Sequence, residues 1–208
     1  MIELSGVSKF GIIEAVTLHI GENDKIGLFG SNGSGKTTLL YLISGVYLPE
    51  TGIIDIMGDK YTFPMSYCTY RAFEKRIRTV ICFFESPDIF FDDFTIRQNL
   101  EFYLSLDSYD ATMVEELLKY FDVNESPDKL MKDLSRGTRQ KLLVVLGFST
   151  KKNYVIFDEP TTGLDYESKK KFYDLLRKTN KTFIVSTHDV EYKSFFDKSL
   201  EIDAKKQY

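Results

Sequence analysis

The chain has 208 residues, 27 of them basic and 31 acidic, for a formal net charge of −4. That length permits one well-buried domain with an insertion but not two large domains, and the absence of a cationic excess argues against nucleic acid as a partner. No window approaches the roughly 18 uninterrupted apolar residues of a membrane span, residues 1–9 lack the apolar run of a secretory leader, and Cys68 and Cys82, the only cysteines, read as free thiols of a reducing, cytosolic compartment.

In chain order, Ile2–Leu4 and Ala15–Ile20 read as strands, the second alternating, with a turn at Gly21–Asp24. Lys25–Phe29 is a short apolar strand, and Thr38–Ser44 begins a helix that ends near Gly45. Ile53–Met57 reads as a further strand. From Asp59 to Arg78, aromatic, proline and basic residues mix without a period, so no element is predicted there. Val80–Phe84 has the composition of a buried strand. Thr95 then caps a helix carrying Ile96, Leu100, Phe102 or Tyr103, and Leu106 at helical spacing, and Asp110 caps a second over Ala111–Phe121. In that second helix Met113, Leu117, Leu118 and Phe121 share one face, which reads as core. Ser135 caps a third helix, Arg136–Phe148. Asn153–Asp158 is an apolar run ending in carboxylates, the pattern of a strand covered on both faces of a parallel sheet. Tyr166–Lys178 is an amphipathic helix whose Lys169–Lys171 face is expected to be solvated, and Lys181–Thr187 is a last strand leading to His188. Strands alternating with helices, with the loop chemistry at strand ends, predict an α/β P-loop fold.

The chemistry concentrates between the third strand and the first helix. Gly30, Ser31, Asn32, Gly33, Ser34, Gly35, Lys36 and Thr37, followed by Thr38, satisfy G-x-x-x-x-G-K-[ST]. Backbone N–H groups of such a loop wrap nucleotide phosphates, and glycine permits the positive φ and close approach this needs. Lys36 is expected to bring positive charge to the β- and γ-phosphates, and the Thr37 hydroxyl to complete a Mg²⁺ shell. A phosphate loop alone does not separate kinases, GTPases and transport ATPases. The pair Asp158-Glu159 does: Asp158 is expected to hold the Mg²⁺ shell while Glu159 polarises a water for in-line attack, a group that hydrolysis needs and transfer to a bound acceptor does not.

Taken together, Phe10, Gly30–Thr37, Leu134-Ser-Arg-Gly-Thr138, Tyr154–Glu159, Thr162-Gly-Leu-Asp165 and His188 occur in the order of the aromatic, Walker A, signature, Walker B, D-loop and switch-histidine motifs. In this the chain closely resembles the nucleotide-binding subunit of ATP-binding cassette (ABC) transporters, over nearly its whole length. The resemblance implies a P-loop NTPase with a central mainly parallel sheet, an N-terminal antiparallel β subdomain and an inserted helical subdomain. It divides the 1–208 domain into a nucleotide-binding core, 1–85 and 135–208, and a helical signature segment, 86–134. It implies ATP and Mg²⁺ as cofactors, Phe10 stacked on adenine, and Glu159, His188 and Lys36 as the catalytic set. Asp165, closing the D-loop, is expected to bind nucleotide, and Ser135 and Gly137 are expected to serve the nucleotide bound by a second ABC ATPase subunit, in a homodimer or heterodimer that closes on ATP and reopens after hydrolysis. A separate transmembrane permease would dock around Pro87–Phe94, placing the chain on the cytoplasmic face of the cell membrane; Phe90 and Phe91 are either exposed contacts with it or packed under the loop. A soluble ABC ATPase acting in regulation or DNA repair is the alternative, against which stand the single cassette and the lack of a heptad run.

Two motifs depart from the family pattern. Arg136 and Thr138 replace the usual third and fifth signature residues, while Ser135 and Gly137 are kept. The Q-loop glutamine position falls at Glu85 or Ser86; Glu85 can still ligate Mg²⁺, but adds negative charge beside the phosphates and Glu159.

Overall fold

The computed structural model describes residues 1–106 and 108–202; the last residues of the expected 135–208 core segment, 203–208, lie outside the described residues. In chain order the elements are β1 (Ile2–Lys9), β2 (Ile13–Ile20), β3 (Lys25–Phe29), α1 (Lys36–Ser44), β4 (Thr51–Ile56), β5 (Asp59–Phe63), α2 (Tyr67–Val80) and β6 (Ile81–Phe84). There follow α3 (Ile96–Leu104), α4 (Ala111–Tyr120), α5 (Arg136–Ser149), β7 (Tyr154–Asp158), α6 (Tyr166–Lys178), β8 (Thr182–Ser186) and β9 (Lys198–Glu201). Short 3₁₀ turns at Pro87–Ile89, Met131–Asp133 and Val190–Phe195 lie between them.

The strands form two sheets. One is antiparallel in the order β2-β1-β4-β5; the other is parallel in the order β6-β7-β8-β3-β9. In the parallel sheet β3 and β8 are buried along their whole length, and β7 up to Phe157, because both faces are covered. Alternation along β7 divides the core: Val155 and Phe157 face a cluster with α5 and α6, while Tyr154 and Ile156 face a second cluster with α1 and the antiparallel sheet. On the first side Phe157 is ringed by Phe84, Phe148, Phe172 and Phe183, with centroids 5.3 to 6.1 Å away. Gly147 of α5 lies directly over that ring.

The caps read from the sequence hold. Thr95 accepts from the Gln98 amide in a full capping box, Asp110 from Met113, and Ser135 from Thr138.

Three expectations are corrected. The stretch 59–78, for which no element was predicted, contains β5 and nearly all of α2. Only Phe73 and Ile77 of α2 are buried, so its apolar stripe is too thin to read. Phe90 is buried at 5% exposure and packs edge-on against Tyr103, whereas its neighbour Phe91 is 44% exposed. Asn99 enforces that split: its buried amide donates to the Phe91 carbonyl and accepts from the Phe91 N–H. The Lys169–Lys171 face is also not merely solvated. Lys169 donates to both Asp189 oxygens and Lys171 to Asp122, which leaves Lys170 as the exposed member.

Candidate nucleotide site

The loop between β3 and α1 is built by glycine where other residues do not fit. Gly30 has φ +153°, and a Cβ there would lie 2.3 Å from the Ile202 carbonyl oxygen. Gly33 has φ +78° and faces open space, and Gly35, φ +104°, is the N-cap of α1 without any side-chain cap bond. The first amides of α1 therefore lack a side-chain acceptor at the end where the helix dipole is positive. The Ser34 hydroxyl is buried inside the loop and has no partner among the described residues. Lys36 folds back over the loop, its Nζ donating to the carbonyls of Gly30 at 2.8 Å and Ser31 at 3.2 Å. A buried orphan hydroxyl, a lysine whose hydrogen bonds go to loop carbonyls and open space at Gly33 fit a polyphosphate.

Across from the loop, β7 ends between β6 and β8 and delivers two carboxylates. Asp158 Oδ2 accepts from the Thr37 hydroxyl at 2.7 Å, and its Oδ1 accepts from Ser186 of the neighbouring strand. Glu159 turns away from it. Its Oε1 lies 3.7 Å from Lys36 Nζ and its Oε2 2.8 Å from His188 Nδ1. Glu159 has φ +47°, uncommon outside glycine, and its amide is held by the Ser186 hydroxyl at 2.9 Å. The His188 turn is itself fixed by Asp189, which accepts from Thr161 at 2.8 Å and from Lys169. Behind Glu159, the buried Gln140 of α5 donates to the Pro160 carbonyl at 2.8 Å.

Glu85 follows β6 directly and borders both cavities of the site. Its carboxylate accepts from the Tyr41 hydroxyl of α1. That bond, then partial burial and the charge of Glu85, push the Tyr41 hydroxyl up to about 12. Thr37, Asp158 and Glu85 together offer only oxygen donors. No group of three or more His, Cys, Asp or Glu side chains makes a metal cage among the described residues. This donor set suits Mg²⁺, which takes few protein ligands and completes its shell with phosphate and water.

One cavity, about 550 Å³, is lined by Ile12, the loop from Asn32 to Thr38, Glu85, Asp158 and Glu159. A second, about 590 Å³, runs past Gly30, Ser31, Arg136, Gln140, Thr162 and His188. Phe10 lines neither; its ring is 88% exposed, and its amide donates to Glu50. Ser135, Gly137 and Asp165 also line neither cavity. Ser135 caps α5, Gly137 has the Gly163 carbonyl 2.9 Å from where a Cβ would stand, and Asp165 caps α6 with Lys141 3.4 Å away. The Ser168 amide, foremost, holds the Asp165 carboxyl below its ordinary value. The motifs thus bring the phosphate loop, Asp158, Glu159, His188 and Glu85 together and leave Phe10, Ser135, Gly137 and Asp165 outside. Sequence reading missed Tyr41, Ser186, Asp189 and Gln140; only Asp189, next to His188, stood beside a motif.

The family model described as "ABC transporter" matches residues 13–162. A candidate ABC transporter ATP-binding protein of Bartonella quintana is 29% identical over 197 residues, covering 92% of this chain and 83% of that protein. The Nod factor export ATP-binding protein I of Burkholderia thailandensis is 29% identical over 188 residues, covering 86% of this chain and 59% of that protein. Among solved structures, the ATP-binding cassette MJ0796, in a dimeric post-hydrolysis state bound to ADP and Pi, superposes with a TM-score of 0.80. It is 24% identical and covers 99% of this chain and 97% of that one, a likeness of fold. The chain belongs to the ABC transporter family, as an ATP-binding cassette of the P-loop ATPase class.

Proposed function

We propose that this chain is the ATP-hydrolysing subunit of an ABC transporter, working on the cytoplasmic face of a membrane and driving a separate membrane subunit. The observation that carries the reading is the setting of Glu159, held between Lys36 and His188 beside the Thr37–Asp158 bond. ATP would lie with its phosphates in the glycine loop, where Lys36 exchanges its two carbonyl partners for phosphate oxygens. Thr37, Asp158 and Glu85 would hold Mg²⁺, which when bound neutralises charge on the β- and γ-phosphates. Glu159 takes the proton of the attacking water, and His188, hydrogen-bonded to Glu159, orients it and reports on the γ-phosphate. Phe10, exposed at the loop after β1, stacks on adenine.

Ser135 and Gly137 sit at the N-terminus of α5 and line neither of this chain's own cavities, and that supports the reading that they serve ATP held by a second subunit. Asp165 lies 3.4 Å from Lys141 of the same helix. Closing of two chains on ATP, and reopening after hydrolysis, would supply the mechanical stroke. No helix among the described residues is long and apolar enough to cross a membrane, so the path for cargo would come from a partner. The exposed rings of Phe91, Phe94 and Phe102, mutually 5.1 Å apart through Phe91, are the proposed contact with it. Cargo is read by that partner.

The test is ATP hydrolysis by the purified chain, alone and with the membrane protein encoded beside it. Glu159→Gln should lower turnover about 10²- to 10⁴-fold and accumulate a nucleotide-bound dimer in size-exclusion chromatography. Unchanged turnover would eliminate Glu159 as the base, and no stimulation by the membrane protein would count against the transport role.

A further inference from the structure

Three carboxylates converge on the phosphate cavity, and they are not equally compensated. Asp158 accepts from Thr37 and Ser186, and Glu159 is flanked by Lys36 and His188. Glu85 has no cation beside it: among the described residues its bond is to the Tyr41 hydroxyl. Tyr41 is well anchored for that task. Its ring meets Phe83 edge-on at 5.7 Å and Tyr47 at 4.7 Å. Phe83 of β6 lies two residues before Glu85, so the ring that carries the donor packs on the strand that leads directly into the acceptor. Tyr41 also stands one helical turn after Thr37, on the same side of α1.

A carboxylate near a polyphosphate repels it, and more strongly in a dry site than in water. A hydrogen bond donated to the carboxylate disperses its charge and fixes its direction. We propose that Tyr41 is the positioning residue for Glu85: its hydroxyl restrains the carboxylate at the cavity rim and reduces the repulsion it exerts on incoming nucleotide. The inference rests on the reading of this cavity as the ATP site. It gives Tyr41, which no motif singles out, the part of making a glutamate tolerable where an uncharged amide is usual.

The test is equilibrium binding of a fluorescent ATP analogue to the whole chain, in EDTA and in saturating Mg²⁺, for the wild type, Tyr41→Phe, Glu85→Gln and the double variant. Phenylalanine keeps the ring contacts, and thermal melts without nucleotide check that the fold is intact. In EDTA, Tyr41→Phe should weaken binding about three- to tenfold, whereas Glu85→Gln should tighten it several-fold. Combined with Glu85→Gln, Tyr41→Phe should change affinity less than about twofold, since no charge is left to restrain. With Mg²⁺ present, the loss caused by Tyr41→Phe alone should also shrink below about twofold, because the cation screens the carboxylate. An equal loss with and without Glu85→Gln would overturn the proposal, as would no loss in EDTA. The Glu85→Gln variant is decisive by itself if Tyr41→Phe melts early: unchanged metal-free affinity would remove the repulsion the proposal depends on. Failure of the wild type to bind in either buffer would instead remove the nucleotide reading, and this proposal with it.

Discussion

Gly147→Ala tests how tightly the signature helix is coupled to the strand that carries the carboxylates. In the middle of a helix this change ordinarily stabilises by up to about 1 kcal/mol through helix propensity. Here the new methyl would stand 2.0 Å from Cζ and 2.6 Å from Cε1 of Phe157. The Phe157 ring is fully buried and surrounded by Phe84, Phe148, Phe172 and Phe183, so it has no empty volume to enter. Overpacking of this kind costs roughly 1–3 kcal/mol. It matches or exceeds the propensity gain and leaves a net loss of up to about 2 kcal/mol, which at this chain length is a fall of up to several degrees in Tm. Because Phe157 directly precedes Asp158, ATP turnover should fall with stability. Urea unfolding followed by far-ultraviolet circular dichroism gives the sign directly. Phe157→Leu, destabilising alone, should recover at least about 1 kcal/mol when combined with Gly147→Ala. A Gly147→Ala variant more stable than the wild type would refute the packing argument, since propensity would then be acting alone.

Ser34→Ala should leave the nucleotide-free fold within about 0.5 kcal/mol of the wild type, because the buried hydroxyl has no partner to lose. It should weaken nucleotide binding several-fold, measured by fluorescence titration; a large loss of stability would show that the hydroxyl is already satisfied. Asp165→Ala removes the cap of α6 and should cost about 1 kcal/mol at neutral pH. The folded carboxyl titrates below the ordinary 3.8, so its contribution is complete above that value and is lost as pH falls through the lower folded value. The stability gap between Asp165→Ala and wild type should therefore close only below about pH 3.8. A gap already closed at pH 5 would contradict the assigned shift.

What could be read from the sequence was whatever is written locally. The β7 run, the phosphate loop and the caps at Thr95, Asp110 and Ser135 are each specified by a few adjacent residues, and the structure keeps them. α2 was hidden because its two buried residues, Phe73 and Ile77, are outnumbered by exposed Tyr67, Cys68 and several charges. β9 was hidden because it is an edge strand with no fully buried residue. Phe90 and Phe91 cannot be told apart from composition; the distinction is made by Asn99 and Tyr103, both in α3. In the site, the motifs carry the groups proposed to touch phosphate and metal. The hydroxyls that aim those groups, Tyr41 and Ser186, lie 44 and 28 residues from the carboxylates they serve, and that is why no motif contains them.

The corner at Asp158-Glu159 shows why such distant partners matter. Along a regular strand, successive side chains point to opposite faces, and continuing β7 would dictate the direction of Glu159 by its register alone. Instead the backbone enters the left-handed region at Glu159, which for a residue with a Cβ costs roughly 1–3 kcal/mol. Ser186 offsets that cost from the adjacent strand. Its hydroxyl donates to Asp158 and accepts from the Glu159 amide, while its carbonyl accepts from the same amide at 3.2 Å. One serine thus fixes the two carboxylates in separate directions, Asp158 toward Thr37 and Glu159 toward Lys36 and His188. The division of labour proposed for them, metal ligand and general base, follows from that backbone turn more than from their identities, since two adjacent carboxylates on a straight strand could not address one nucleotide together.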